Sequence, residues 1–522
     1  MIKIFTFLFM IILNLILTIL LCLGKEIFME ISTFSIFSSF SWSWTWKIDL
    51  NSMIFSFIVL WVSSTIYFFS LSYMNHDREK LKFFTILFLF IFSMYILIFS
   101  FSLSSLLIGW DGLGVTSFLL IFYYHSLKSI NSSLITLLIN RLGDLFMIFS
   151  IGTSLIYFSW NFVFWDSTNY MLLLMIFAFF TKSAQIPFSF WLPKAMAAPT
   201  PVSSLVHSST LVTAGAYTLF RLPFQIWENM SNLVFFFSSL TLLVSSIMAF
   251  SSFDCKEIVA FSTMSHMSLI FMTLSLNLHD LAFFHLCSHA LFKSLLFMCV
   301  GNLIFHEAGW QDIRKLNYNS VNPLTSVSGL ISLISMSGLP FMCGFYSKDA
   351  IFETISDCNT MNIFIISSLL TMSYSIRLLA YMINNYFTCT QVKKITLMNF
   401  MIYAQSFIVT VSGSMFFWWI NPPFFVYPMM ILKIFMIFFL ISGLIAGLMK
   451  TMFFKYIIKI YHLWFKMIYE INFIFIKSKL IFNLEKGWLK SLISLLEFKY
   501  KVTMFSVLAF NVLLLFVLNF FS

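Results

Sequence analysis

The stretch Thr181–Leu222, TKSAQIPFSFWLPKAMAAPTPVSSLVHSSTLVTAGAYTLFRL, decides how this chain is interpreted. Lys182 lies inside an apolar run, and a second apolar helix begins near Val202 and carries His207. Four prolines interrupt the helical pattern between them, at Pro187, Pro193, Pro199 and Pro201. A bilayer tolerates a broken helix only where protein or water satisfies the freed backbone groups. An ionisable residue beside such a break marks a functional site, and apolar residues on both sides make snorkelling the weaker alternative for Lys182.

The composition indicates a polytopic helical membrane protein. Of the 522 residues, 60% are hydrophobic and only 10% are charged, and the mean hydropathy is +0.95. Soluble domains carry far more charge. The net charge of +10 lies in loops and one tail segment, so it does not point to nucleic acid.

The fold class that we predict is an all-α polytopic membrane protein with about 15 transmembrane helices, each near the ~20 residues that span hydrocarbon. The predicted spans are 2–23, 51–74, 81–101, 103–124, 132–158, 170–197, 201–221, 232–252, 256–276, 280–305, 324–355, 361–387, 398–420, 428–450 and 503–521. Residues 25–50 carry five charges and a serine-rich middle, so we expect no membrane-crossing helix there.

Two of the spans, 170–197 and 324–355, are broken, and each holds an intramembrane lysine. The second broken span comes five spans after the first. Because five is an odd number, the two spans cross the membrane in opposite orientations, as in inverted five-helix repeats. The predicted divisions are 1–80 (N-terminal spans), 81–221 and 232–387 (the repeats), 398–450 (two spans), 451–502 (lateral helix) and 503–522 (anchor span). When alternate loops are assigned to two sides, one side receives most of the Lys and Arg residues, which places the N-terminus inside, in the matrix if the membrane is mitochondrial.

Residues 451–502 form a different kind of segment. Their polar residues recur on one face of a helix, at Lys455, Lys459, His462, Lys466, Glu470 and Lys477. Such a helix lies along the membrane plane, either on lipid or braced across neighbouring proteins. Its length, ~75 Å at 1.5 Å per residue, favours the brace.

Several charged or basic residues lie within other spans. Asp111 lies in IGWDGLGV, and Arg141 and Asp144 in the next span are three apart, so they are able to pair. His285, His289 and Lys293 recur every four residues and form a polar stripe. HxxxH is able to bind zinc, but no third ligand is evident, so a proton-carrying stripe is favoured. The second break holds Lys348 and Asp349.

No motif indicates a cofactor in this chain. The seven cysteines form no CxxC pair, and both GxGxxG and the phosphate-loop pattern are absent. What the charged residues within the spans share is the ability to gain or lose a proton.

The stretch after Thr181 resembles the antiporter-like proton-translocating subunits of respiratory complex I, which Mrp-type cation/proton antiporters share. GWDGLGVTSFLLI, NRLGD, FHLCSHALFKSLLFM, QDIRKL and GLPFMCGFYSKD are similar, more narrowly, to the mitochondrial NADH–ubiquinone oxidoreductase chain 5 branch of that family. The resemblance implies a mitochondrial inner-membrane subunit that moves protons beside neighbouring antiporter-like chains, with FMN, iron–sulfur clusters and ubiquinone held by other subunits.

The same resemblance assigns the proton path to Asp111, Asp144, Lys182, His207, His289, Lys293 and Lys348, with Arg141, His285 and Asp349 as further candidates. The chain differs from the family's pattern at Asp111, where Glu is usual, and we expect it to lack the usual first span. Two alternatives stay open, a stand-alone or Mrp-type Na⁺/H⁺ antiporter and a structural scaffold whose charges are merely neutralised.

Overall fold

The computed structural model describes Ile16 and residues 27–37, 40–154, 169–223, 228–307, 309–316, 322–354, 358–383 and 397–420. They all lie within Met1–Thr451, and the segment Met452–Ser522 lies outside the described residues. Among the described residues the chain is mostly helical, with one β-hairpin.

The hairpin consists of β1 (Ile27–Phe37) and β2 (Phe40–Ile48), which pair antiparallel. The all-α prediction is therefore wrong at this place. The physical reason is visible in residues 41–46, which alternate Ser or Thr with Trp, because a period of two favours a strand. The expectation that residues 25–50 hold no membrane-crossing helix is confirmed over the two strands.

The end of the hairpin is attached to the helices that follow. The Thr45 carbonyl accepts a hydrogen bond from the Phe101 amide at 3.0 Å. Arg221 forms an ion pair with Asp49 and donates to the Lys47 carbonyl at 3.1 Å. Burial raises the pKa of the Asp49 carboxyl, but the Arg221 guanidinium and the hydrogen bonds of the helix cap outweigh it, so the pKa lies below its ordinary value.

The helices in chain order are α1 (Leu50–Tyr73), α2 (Lys80–Phe99), α3 (Leu103–Phe122), α4 (Leu127–Ser154), α5 (Asn169–Lys182), α6 (Trp191–Ala195), α7 (Thr200–Leu205), α8 (Leu211–Arg221), α9 (Ser231–Ser251), α10 (Cys255–Ser275), α11 (His279–His306), α12 (Pro323–Ser337), α13 (Cys343–Thr354), α14 (Cys358–Ile383) and α15 (Leu397–Ile420). A π-helical turn, Val206–Thr210, joins α7 to α8.

Within the described part of the chain, nine helices are long and apolar enough to cross a membrane: α1 to α4, α9 to α11, α14 and α15. They match the corresponding predicted spans to within a few residues. The apolar windows of α10 and α11 are wholly buried, whereas only 28% of the window of α15 is buried. Two helices that carry polar stripes therefore lie at the centre of the bundle.

Helical structure is interrupted after Lys182, where α5 ends and the short α6 begins nine residues later at Trp191. Proline removes a backbone donor and clashes with the preceding turn, so the helix cannot continue through this segment. The Trp191 indole donates to the Thr181 carbonyl at 2.8 Å. Protein thus satisfies a backbone group that the interruption frees, as a bilayer requires.

A second interruption separates α12 from α13. Gly338 ends α12 with a φ of +84°, a conformation that favours glycine. A Cβ on Gly344 would lie 1.9 Å from the Ser335 carbonyl oxygen, so only glycine permits this close approach of the two helices.

Three predicted spans (2–23 apart from Ile16, 428–450 and 503–521) and the lateral helix 451–502 lie outside the described residues. The count of about 15 spans and the repeat divisions stay predictions.

Candidate functional site

The first group of polar side chains surrounds Lys182 at the end of α5. The Lys182 side chain is fully buried. Its ammonium donates to the Trp110 carbonyl at 3.2 Å and lies 5.3 Å from the centroid of the Trp110 ring. A Cβ on Gly114 would come within 3.3 Å of the same nitrogen, so this glycine of α3 leaves room for the ammonium. Lys182 therefore contacts α3 at two places, the carbonyl of Trp110 and the ring of Trp110.

The first group also contains two carboxylates, Asp111 and Asp144, and Arg141 lies within ion-pair distance of both. The Arg141 guanidinium lies 3.3 Å from the Asp144 carboxylate and 3.7 Å from the Asp111 carboxylate. The pairing that the three-residue spacing predicts between Arg141 and Asp144 is confirmed. Both carboxylates act electrostatically on Lys182.

The exposure of the two carboxylates differs. The Asp144 side chain is 7% exposed, against 37% for Asp111. Asp144 is therefore the more deeply buried of the two carboxylates, and the Arg141 guanidinium is also nearer to it.

His207 lies in the π-helical turn between α7 and α8, and it is fully buried. Neither of its ring nitrogens has a hydrogen-bond partner among the described residues. Lys256 of α10 is also buried, donates to the Ala198 carbonyl at 3.0 Å, and acts electrostatically on His207. π-helical turns are frequent at functional sites, because the extra residue reorients nearby side chains.

The second group follows the polar stripe of α11. His285, His289 and Lys293 are fully buried and four residues apart. His285 Nδ1 lies 2.9 Å from the Ser347 hydroxyl of α13, and His285 Nε2 lies 3.1 Å from His266 Nδ1 of α10. The structure thus places His266 of α10 and Ser347 of α13 in contact with the predicted stripe.

Lys293 and Lys348 meet at the end of α12. Lys293 donates to the Met336 sulfur at 2.9 Å and to the Ser262 hydroxyl. Lys348 donates to the Met336 carbonyl at 2.7 Å. Asp349 follows Lys348 on α13 and is partly exposed. One methionine therefore contacts the ammonium groups of both lysines, one from α11 and one from α13.

A metal is not indicated by the described part of the chain, where no group of three or more His, Cys, Asp or Glu is placed to hold one. His285 has both ring nitrogens within hydrogen-bond distance of other side chains. Proton exchange needs only titratable groups in hydrogen-bonded contact, which this arrangement supplies.

Two residues of these groups were missed by sequence reasoning. His266 stands alone in the apolar span 256–276, and an isolated intramembrane histidine is itself a signal. Lys256 is the first residue of that span, and its side chain is buried in the first turn of α10.

Comparison with known proteins defines the class first. The family profile described as "NADH:quinone oxidoreductase/Mrp antiporter, TM" matches residues 100–374. A solved structure entitled "Structure of Mrp complex from Dietzia sp. DQ12-45-1b" superposes with a TM-score of 0.72 at 21% identity, over 94% of this chain and 57% of that one. The fold is thus that of an antiporter-like membrane protein, and this chain spans little more than half of the solved one.

The relatives are more specific. The profile described as "NADH-Ubiquinone oxidoreductase (complex I), chain 5 N-terminus" matches residues 34–84. NADH-ubiquinone oxidoreductase chain 5 of Locusta migratoria is 42% identical over 393 residues, covering 72% of this chain and 68% of the relative. The protein of the same name from Anopheles quadrimaculatus is 38% identical over 435 residues, covering 80% and 76%. The chain belongs to the NADH-ubiquinone oxidoreductase chain 5 family, as its motifs predicted.

Proposed function

We propose that this chain is a core membrane-arm subunit of respiratory complex I that translocates protons across the inner mitochondrial membrane. NADH oxidation and ubiquinone reduction would take place in other subunits, which would also hold FMN and the iron–sulfur clusters. The proposal rests on two groups of buried polar residues, one around Lys182 and the other around Lys293 and Lys348. Each group lies beside an interruption in a helix. Ionisable groups inside a membrane are costly, so their retention indicates a function.

The proton path would use the residues that the sequence singled out. It would comprise Asp111, Asp144, Lys182, His207, His289, Lys293 and Lys348, with Arg141, His285 and Asp349 beside them. The hydrogen bonds and electrostatic contacts within the two groups support this assignment. His207 and Lys256, on the π-helical turn and on α10, would lie between the first group and the second along the chain.

The remaining parts of the architecture belong to the same proposal. The chain would have about 15 spans, two of them broken, in inverted five-helix repeats at 81–221 and 232–387. Its N-terminus would lie in the matrix. The segment 451–502 would brace neighbouring antiporter-like chains, with membrane lipid as the other contact.

A Na⁺/H⁺ antiporter is the second candidate, because the fold is similar to that of the Mrp complex. The two candidates differ in what drives proton movement. A complex I subunit moves protons only when NADH is oxidised, whereas an antiporter responds to a Na⁺ gradient without NADH.

The test is purification of the chain from its native membrane. We expect it to migrate in a large complex with NADH:ubiquinone reductase activity, and vesicles of that complex to take up protons on NADH addition. Lys293→Met should lower the number of protons moved per NADH, because it removes a fully buried titratable group. Lys128→Met, at an exposed lysine of α4, is the matched control.

Migration apart from NADH dehydrogenase activity, with proton movement that follows a Na⁺ gradient, would favour the antiporter instead. An unchanged proton ratio in Lys293→Met would favour a scaffold.

A further inference from the structure

His266 is a buried histidine that joins the α11 stripe from a different helix. Its side chain is 1% exposed. Its Nδ1 lies 3.1 Å from His285 Nε2, so one ring donates to the other. Its Nε2 has no hydrogen-bond partner among the described residues. One nitrogen of the ring is thus engaged and the other is available.

The face of α10 that carries His266 is the face that meets the stripe. Ser262 and His266 are four residues apart, so they lie on the same side of α10. Lys293 donates to the Ser262 hydroxyl. The ring of His266 lies 5.3 Å from that of His285 and 5.7 Å from that of His289, centroid to centroid. α10 therefore presents a polar face to each member of the stripe.

The hydrogen bonds continue beyond His285 to a third helix. His285 Nδ1 lies 2.9 Å from the hydroxyl of Ser347, and Lys348 is the next residue of α13. The titratable groups that act on His266 are His285, His289 and Lys293 of α11 and Lys348 of α13. The neighbouring helix α9 carries no ionisable residue. A line of hydrogen bonds thus crosses from α10 through α11 to α13.

We propose that His266 is a proton-relay residue that carries a proton from the His289 and Lys293 side of the stripe to His285, whose other nitrogen lies against the Ser347 hydroxyl. The proposal rests on the function proposed above. An imidazole relays a proton by binding one on one nitrogen while it releases another from the opposite nitrogen.

The transfer balances without any other reactant. A proton binds His266 Nε2 as the Nδ1 proton passes to His285 Nε2. His285 then holds a proton on each nitrogen, and its Nδ1–H donates to the Ser347 hydroxyl at 2.9 Å. His266 ends with the one proton that it had, and His285 ends with one more.

The test compares variants of the chain in the intact complex, with protons moved per NADH as the measurement. Glutamine at position 266 keeps one donor and one acceptor but does not relay a proton. We therefore expect His266→Gln to lower the ratio by at least half of the fall seen in Lys293→Met. His306→Gln, at the far end of α11, is the control for loss of a histidine.

A wild-type ratio in assembled His266→Gln would overturn the relay. Ser347→Ala supplies a second test that leaves position 266 intact, and it should lower the ratio as well. The double variant should fall no further than the lower single variant, because both residues serve one path; additive losses would also overturn the relay. If Lys293→Met itself pumps normally, the proposed function fails; if only His266→Gln and Ser347→Ala pump normally, the relay alone fails.

Discussion

Replacing Lys182 by methionine is expected to lower the number of protons moved per NADH while leaving the fold intact. Methionine is unbranched and similar in length to the apolar stem of lysine, so it fills the same space without the ammonium. The site is fully buried, at the end of α5 against Trp110. The variant therefore removes the charge and one hydrogen bond and little else.

The size of the stability change follows from these contacts. The hydrogen bond from the ammonium to the Trp110 carbonyl, at 3.2 Å, contributes about 2 kcal/mol, as hydrogen bonds to charged groups do. Burial of the ammonium costs several kcal/mol, which the variant recovers. The free energy of unfolding should therefore stay within about 2 kcal/mol of wild type or rise, whereas a cavity-forming Leu→Ala change costs about 2–5 kcal/mol.

The assay pairs thermal unfolding of the purified complex with protons moved per NADH in vesicles, and Lys128→Met is the exposed control. We expect a wild-type melting temperature and a lowered proton ratio. A normal proton ratio would refute the reasoning. So would a large fall in melting temperature with a proportional loss of assembled complex, since Lys182 would then be a structural residue.

Three further predictions concern carboxylates and a close contact. Asp144→Asn should lower the proton ratio more than Asp111→Asn, because Asp144 is more deeply buried and lies nearer to the Arg141 guanidinium; equal losses would contradict this. Gly344→Ala should cost more than about 2 kcal/mol of stability, as overpacking does, whereas Gly152→Ala, with nothing near its Cβ, should leave the melting temperature unchanged. The pKa of Asp49 is lowered in the fold, so its contribution to stability is present above the unfolded pKa of about 3.9 and is lost as pH falls through the folded pKa. Asp49→Asn should therefore lower the melting temperature at neutral pH and match wild type in strong acid, and an effect that persists in acid would contradict the ion pair.

Much of the helical framework follows from the sequence, because a long apolar run that crosses a bilayer forms a helix, which pairs all of its backbone groups internally. Local spacing also predicts contacts within one helix, such as that between Arg141 and Asp144. The hairpin at Ile27–Ile48 was missed because its residues were judged by charge and polarity, while their period of two carried the information.

Contacts between helices were harder to predict. The polar residues of α10 are spread around the helix, so its periodicity does not show which face meets α11. The approach of His266 to His285 depends on that face. The meeting of Lys293 and Lys348 at Met336 likewise joins three helices that are distant in sequence, and no spacing rule relates them.

The two groups differ in the charge that surrounds their lysines. Lys182 has two carboxylates in electrostatic range, whereas the hydrogen-bond acceptors of Lys293 and Lys348 are a thioether, a hydroxyl and a carbonyl, all neutral. Two ammonium groups on one methionine repel each other strongly in a low dielectric. We infer that a proton arriving at one of these lysines favours release from the other, so the second group holds a single extra charge at a time. Infrared spectra that show both amines protonated throughout turnover would contradict this exchange.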